Sequence, residues 1–322
     1  MPSDTTPQAK LTTVASFPRH YFLENMAIRR DHSVLVTAMN HKELWYVPPV
    51  NANLGVEPTH LFTFAQHTMD IIEVEPDIFY LSTSNAYTTH ESYLHRLDLR
   101  DWTPGMPVEP EVVLEFPGPV RGLNGSCLIA PKGILLADCF GGLIWRVDLP
   151  SDGGEPLARV WLKHDSMEHD PGGPMPDCPG VNGLKYAEKT NHLYYTSTMR
   201  RLFMRVRVDP HTYQPVGEPE LVAGGRMADD FCIDENAGVA YLATHRQNTI
   251  DRVSLEPSRN GHVRHSVAGE PFTEQLIGPT VGAWGRNPGD YGRIAYFMTD
   301  GGTKSPLPDR VVRPATILRV EF

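Results

Sequence analysis

The chain has 322 residues, enough to bury a large core as one big domain or two ordinary ones. A hydrophobic share of 40% with 27 Gly and 29 Pro suits a protein with many turns and argues against a coiled coil or a disordered chain. The formal net charge of −10, with no Lys/Arg tract to reverse it, argues against non-specific binding of nucleic acid.

The N-terminal stretch MPSDTTPQAKLTTVASF has no apolar h-region, and residues 1–10 read as a loose tail. No run approaches the length of a membrane span, so the cytoplasm is the expected compartment and no membrane partner is expected. Four cysteines are too few for a disulfide scaffold. The first element is LTTVASF (11–17), a strand standing outside the repeats that follow.

Six copies of one unit then run to the C-terminus. Their middle strands are HSVLVTAMN (32–40), DIFYLSTSN (77–85), GILLADCFG (133–141), NHLYYTSTM (191–199), AGVAYLATH (237–245) and GRIAYFMTD (292–300). Each is rich in β-branched or aromatic residues and bounded by turn formers, the signature of a strand. A third strand follows each time: ELWYVPP, YLHRLDL, LIWRVDL, LFMRVRV, TIDRVSL and TILRVEF. The anchors Trp45, Arg96, Arg146, Arg205, Arg252 and Arg319 are 51, 50, 59, 47 and 67 residues apart. A period near fifty with three or four strands per unit predicts an all-β, six-bladed β-propeller spanning 1–322 as one domain. Strand 11–17 is expected to pair beside ATILRVEF as the outer strand of the last blade, which closes the ring and removes an exposed edge.

Three segments exceed the unit: 164–180, 286–291 and 300–313. Irregular insertions of this kind are either rims and lids over a site or tolerated surface loops, and both readings stand.

A first strand precedes each middle strand and lines the channel of a propeller. These strands are FLENMAI (22–28), TMDIIEV (68–74), LNGSCLI (123–129), VNGLKYA (181–187), ADDFCID (228–234) and PTVGAWG (279–285). Their equivalent early position holds Glu24, Met69, Asn124, Asn182, Asp229 and Thr280. The polar members converge on the axis at one end. Two carboxylates and two amide oxygens are hard ligands suited to Ca²⁺ or a similar divalent cation. Without an ion, Glu24 and Asp229 repel each other, and one of them carries a raised pKa. Taken singly, each can equally cap a turn and bind water. Arg121 is a candidate anion or carbonyl contact, and His245 a candidate proton-transfer group. Tyr87, His90, Tyr195 and Trp284 are candidate walls or donors, each also readable as packing. The equivalent placement of Cys127 and Cys232 in two blades predicts well-separated, buried thiols. Cys139 belongs to a middle strand and Cys178 to the long loop, and all four are expected reduced. Asn124-Gly-Ser matches a glycosylation sequon that a place inside the channel argues against using. No G-x-S-x-G, H-E-x-x-H, C-x-x-C or phosphate loop occurs.

Glu24 in FLEN, Asn182 in GVNGL and Asp229 in ADDFCID resemble the metal-ligand set of the gluconolactonase/regucalcin family, and Asn124 matches a further asparagine seen there. The resemblance covers nearly the whole chain. It implies a six-bladed propeller with a divalent ion, commonly calcium, and hydrolysis of lactones or esters by metal-activated water. The chain departs from that pattern at Asn124-Gly125, where family lactonases follow Asn with Asp, and at Asp229-Asp230, where they have Asp-Gly. The Arg121 spacing differs by one residue. The phrases HYFLENMAI, HKELWYVPP, MADDFCIDE and IGPTVGAWGR resemble a fungal branch that includes the hetero-Diels–Alderases of tropolone-sesquiterpenoid pathways. That resemblance implies a cyclase that joins an o-quinone methide to a humulene-type alkene with no required cofactor. Its substrates are apolar, with Met69, Phe231, Tyr195, Trp284, Tyr87 and Thr280 as surface, and Arg121, Asn124, Asn182, Asp229 or His245 as polar contacts. Three expectations therefore stand side by side: this cyclase, a metal-dependent hydrolase, and a propeller that binds without chemistry.

Overall fold

The structure, a computed structural model, describes residues 8–51, 54–118, 120–130, 132–150, 154–256, 264–270 and 273–322. The loose tail expected at the N-terminus falls mostly outside them.

Among the described residues, twenty-four strands form six four-stranded antiparallel sheets. Strand β1 (Lys10–Arg19) comes first. The first blade is β2 (Leu23–Ile28), β3 (Val34–Ala38), β4 (Glu43–Val47) and β5 (Thr59–Thr63), and the second is β6 (His67–Glu75), β7 (Ile78–Ser84), β8 (Ser92–Asp98) and β9 (Glu111–Glu115). The third is β10 (Leu123–Ile129), β11 (Gly133–Asp138), β12 (Leu143–Asp148) and β13 (Leu157–Lys163). The fourth is β14 (Val181–Ala187), β15 (His192–Ser197), β16 (Leu202–Val208) and β17 (Pro215–Gly224). The fifth is β18 (Ala228–Asp234), β19 (Val239–Thr244), β20 (Thr249–Ser254) and β21 (Arg264–Gly269). The sixth is β22 (Pro279–Trp284), β23 (Ile294–Thr299) and β24 (Pro314–Glu321), completed by β1. The expected six-bladed propeller is the fold.

Closure follows the expected route. Lys10 to Thr13 pair in antiparallel register with Glu321 to Leu318. Val14, Ala15 and Phe17 of β1 are fully or almost fully buried against blades six and one. At about 1.5–3 kcal/mol for each buried Val or Phe side chain, this strand fastens the ring as well as covering its edge.

Burial falls off from the axis outward. All residues of β2, β3, β18 and β19 are buried, whereas β5, β9 and β13 are largely exposed. The core is accordingly a ring of six apolar clusters, one at each junction between neighbouring blades. Each blade buries its two faces against two neighbours, so its inner strands read as continuous apolar runs.

Candidate functional site in the central channel

A β-bulge recurs at the same place in all six inner strands. The register slips between Leu23 and Met26, Thr68 and Ile71, Leu123 and Ser126, Val181 and Leu184, Ala228 and Phe231, and Pro279 and Gly282. An inserted residue breaks the strict alternation of side chains, so two successive residues turn towards the axis. These pairs are Glu24-Asn25, Met69-Asp70, Asn124-Gly125, Asn182-Gly183, Asp229-Asp230 and Thr280-Val281. The backbone N–H groups that the bulge frees find hydroxyls on the middle strands: Asn25 N on Thr37 (2.9 Å), Asp70 N on Ser82 (3.2 Å) and Gly183 N on Thr196 (2.9 Å). The channel thereby carries two stacked polar layers.

The first layer faces a pocket enclosing about 600 Å³, open solvent at its mouth included. Glu24, Asn124, Asn182 and Asp229 form its polar floor, with Met69 beside them. Asn124 hydrogen-bonds Glu24, and the Asn182 amide donates to Asp229 and to the Thr198 hydroxyl (3.1 Å). Thr198 in turn donates to the Ala228 carbonyl oxygen at 2.8 Å. Burial, and then the charge of Asp229, push the Glu24 carboxyl well above the ordinary carboxylate range. Burial raises Asp229 to about 6, against the opposing pull of His245. The walls are apolar: Phe22, Met39, Phe140, Pro179 and Met227.

His245, just past β19, lies tilted against Phe22, ring centroids 5.7 Å apart, and sets Nε2 3.2 Å from Oδ2 of the buried Asp300. The same Asp300 oxygen accepts the Lys304 backbone N–H (2.9 Å), and its other oxygen accepts that of Gly302 (2.7 Å). One carboxylate therefore orients His245 and folds the 300–313 insertion. Lys304 then reaches across the mouth to Asp177 of the 164–180 insertion, in a salt bridge. Both insertions line the pocket, through Asp177, Cys178, Pro179 and Lys304, so the rim reading describes them. The 286–291 insertion instead sits at the other end, where Arg286 pairs with Glu73.

Of the residues expected at the site, Glu24, Met69, Tyr87, Asn124, Asn182, Asp229 and His245 line one pocket. Five expectations need correction. Arg121 is exposed, and its backbone N–H, not its guanidinium, is tied to Asp138 at 3.1 Å. Tyr195 is buried between blades three and four with its hydroxyl 2.7 Å from Ser166. Phe231 lies between blades four and five, because the bulge sends Asp229 and Asp230 to the axis and turns Phe231 back into the blade. Trp284 lines the opposite mouth and donates to the Ile233 carbonyl oxygen (2.7 Å). Thr280 turns its hydroxyl to the Leu23 carbonyl oxygen (2.8 Å) and closes the ring without lining the pocket. His90 stays on the rim, with Nδ1 at 3.2 Å from the Arg121 carbonyl oxygen. All four cysteines are free and buried, but Cys139 lies in the turn after β11, and it and Cys178 line the pocket. Asn124 is buried inside the channel, as the sequon argument requires.

The second layer faces the other mouth. Lys185 holds both Asp230 oxygens at 2.8 Å, and Asp70 accepts from Asn25 and Ser126. Burial raises Asp70 to about 7. Asn25, Asp70, Ser126 and Lys185 line a wide cavity with Ile28, Ile71 and Trp284.

The upper floor fits a divalent cation by chemistry, since Glu24, Asn124, Asn182 and Asp229 offer only hard oxygen donors from four blades. Among the described residues no group of three or more His, Cys, Asp or Glu side chains gathers that could hold a metal. An ion here depends on the two amides for half of its side-chain donors.

No protein-family model matches the chain, and none of the curated proteins does. Solved structures do match. A luciferin-regenerating enzyme superposes with a TM-score of 0.68 at 14% identity, over 98% of this chain and 95% of that one. A gluconolactonase from Xanthomonas campestris gives 0.64 at 11%, over 97% and 89%, and regucalcin, a calcium-binding protein from Agrobacterium tumefaciens, gives 0.61 at 14%, over 96% of each. The chain has the fold of the gluconolactonase/regucalcin-type six-bladed propellers. At these identities the likeness speaks for architecture, and the chemistry has to be argued from the pocket.

Proposed function

We propose that the upper pocket converts an apolar small molecule by positioning and hydrogen-bond donation, as a cyclase of the hetero-Diels–Alder type. The observation that carries this reading is a floor of amide and carboxyl groups set within walls of Phe22, Met39, Met69, Phe140 and Met227. In such a reaction a heterodiene, here an o-quinone methide of the tropolone kind, meets the alkene of a humulene-type terpene. One C–C and one C–O bond form, three π bonds become one, and nothing leaves. Neither a nucleophile nor a net proton transfer is required. The protein supplies an ordered, water-poor pocket and a donor for the heterodiene oxygen, on which negative charge grows. Glu24 suits that role, because burial and Asp229 favour its protonated, donating form. The amides of Asn124 and Asn182 stand beside it. A single well-placed donor in a water-excluded site is worth about 2.7–4 kcal/mol of barrier.

The gluconolactonase pattern is altered where it counts. A Cβ on Gly125 would come within 2.8 Å of the Asn182 carbonyl oxygen and 2.9 Å of the Gly183 Cα, so the acid found there in lactonases has no room. Asp230, in place of the family's glycine, turns away to Lys185.

The oxygen-donor ring favours a second reading, a lactone or ester hydrolase. A divalent cation held by Glu24, Asn124, Asn182 and Asp229 would polarise a substrate carbonyl. His245, with Nε2 directed at Asp300, keeps Nδ1 as its acceptor for a proton from water, and the ester C–O bond breaks as the leaving oxygen takes that proton. One experiment separates the two. The protein is stripped with EDTA, then given an o-quinone methide with humulene, and separately a hydrophobic lactone with and without Ca²⁺. Accelerated dihydropyran formation by the stripped protein supports the cyclase. Calcium-dependent lactone opening without cycloaddition overturns it in favour of the hydrolase. No turnover of either leaves a binding propeller.

A further inference from the structure

The pocket is apolar in its walls and acidic on its floor, yet its rim carries two cations, Arg246 and Lys304. Their situations differ. Lys304 is neutralised by Asp177. Arg246, next to His245 in the turn after β19, is half-buried and donates from Nη1 to the carbonyl oxygen of Lys304 (3.3 Å). Among the described residues it forms no ion pair. Its field still reaches the mouth, where it adds a small pull to the Lys304 contact that holds the Asp177 carboxyl down, and opposes the burial that pushes the Cys178 thiol up. A guanidinium presents a rigid fork of five N–H donors, and one of them is used here. Backbone contact with Lys304 fixes that fork in the mouth instead of leaving it to sweep through solvent, which lowers the entropy lost on binding.

We infer that Arg246 anchors an anionic oxygen group of the substrate, so that the pocket selects apolar molecules carrying a carboxylate, enolate or sulfonate over their neutral analogues. The inference rests on the upper pocket being the substrate site and deepens that reading. The group sits at the rim, the apolar body lies along Met39, Met227 and Phe140, and the reacting end reaches Glu24 and Asn124. The acidic floor orients the molecule by repelling the anion from the reacting end.

The test uses binding, not turnover. Two fluorescent probes share one ring system: 8-anilinonaphthalene-1-sulfonate, an anion, and neutral N-phenyl-1-naphthylamine. The full-length protein is expected to bind the sulfonate at least tenfold more tightly, although its net charge of −10 repels anions in general. Arg246→Gln should abolish that preference while leaving the neutral probe's Kd within twofold, and Arg246→Lys should keep part of it. Met39→Trp should weaken both probes, which places them in this pocket. Equal affinity of the two probes for the wild type overturns the inference, and so does a preference that survives in Arg246→Gln. A preference that behaves as expected in a protein without cyclase or hydrolase turnover supports the anion site and removes only the assigned reaction.

Discussion

The two ends of the channel are built from the same bulge and from neighbouring residues, yet they differ in how charge is settled. At the lower end Asp230 is held at both oxygens by Lys185, and Asp70 by Asn25 and Ser126. Burial raises the carboxyls at both ends, but at the upper end Glu24 and Asp229 face each other with amides between them and, among the described residues, no lysine or arginine bonded to either. Paired charge and satisfied hydrogen bonds make a structural plug. Unsettled charge in an apolar, loop-covered pocket makes a place where a ligand completes the structure. The comparison teaches that position in the repeat brings residues to the axis, while the partner in the adjacent blade decides what they do there.

The largest effect that can break this contrast is expected at the plug. Lys185→Met leaves Asp230 buried without its cation and should cost about 3–5 kcal/mol of stability, measured by urea unfolding. Replacing both residues together, Lys185→Met with Asp230→Leu, should recover most of that loss. A single variant as stable as the wild type would show that the lower layer is not the plug described. Gly125→Ala comes next. Its Cβ meets backbone on two sides, so at least one strand of blade three or four must shift, at about 1–3 kcal/mol with a loss of ligand affinity.

Asp70 sharpens the contrast through pH. Its folded-state pKa of about 7 lies above the 3.8 of the free group. Its contribution to stability is therefore fully present below 3.8 and is lost as pH rises through 7. Between pH 5 and 8 the wild type should lose about 1–3 kcal/mol more than Asp70→Asn, by urea unfolding at each pH. Identical pH dependence would remove Asp70 from the account. The smallest effect belongs to the latch. Asp177→Asn frees Lys304 at an exposed bridge worth about 0–1 kcal/mol, so Tm should hardly move while ligand release becomes a few-fold faster in stopped flow.

Much of this was legible in the sequence, for physical reasons that can be named. Middle strands bury both faces and read as unbroken apolar runs such as GILLAD and VAYLAT, so the six repeats stood out. Outer strands such as Glu111–Glu115 bury little and gave a weak signal. Glu24, Asn124, Asn182 and Asp229 were found because they share one place in the repeat. Phe231 was misplaced because strict alternation sets it on the face of Asp229, and only the bulge moves it. Trp284, four residues beyond Thr280, runs on to the other mouth. Phe22, Met39, Phe140, Met227 and Asp300 were missed although the repeat places them. Phe22 and Met227 stand two residues before Glu24 and Asp229, and Met39 and Phe140 share one place near the end of the middle run. Asp300 shares the last place of that run with His245, but apolar residues at strand ends do not by type mark a site.

On the proposed function, chemistry belongs to the upper mouth and support to the lower. Two tryptophans test it directly: Met39→Trp fills the upper pocket, and Ile72→Trp stands in the lower cavity. With Tm of each variant within a few degrees of the wild type, single-turnover rates on the accepted substrate should fall at least 100-fold for Met39→Trp and by less than threefold for Ile72→Trp. Loss of turnover in Ile72→Trp, with Met39→Trp unimpaired, would contradict the account.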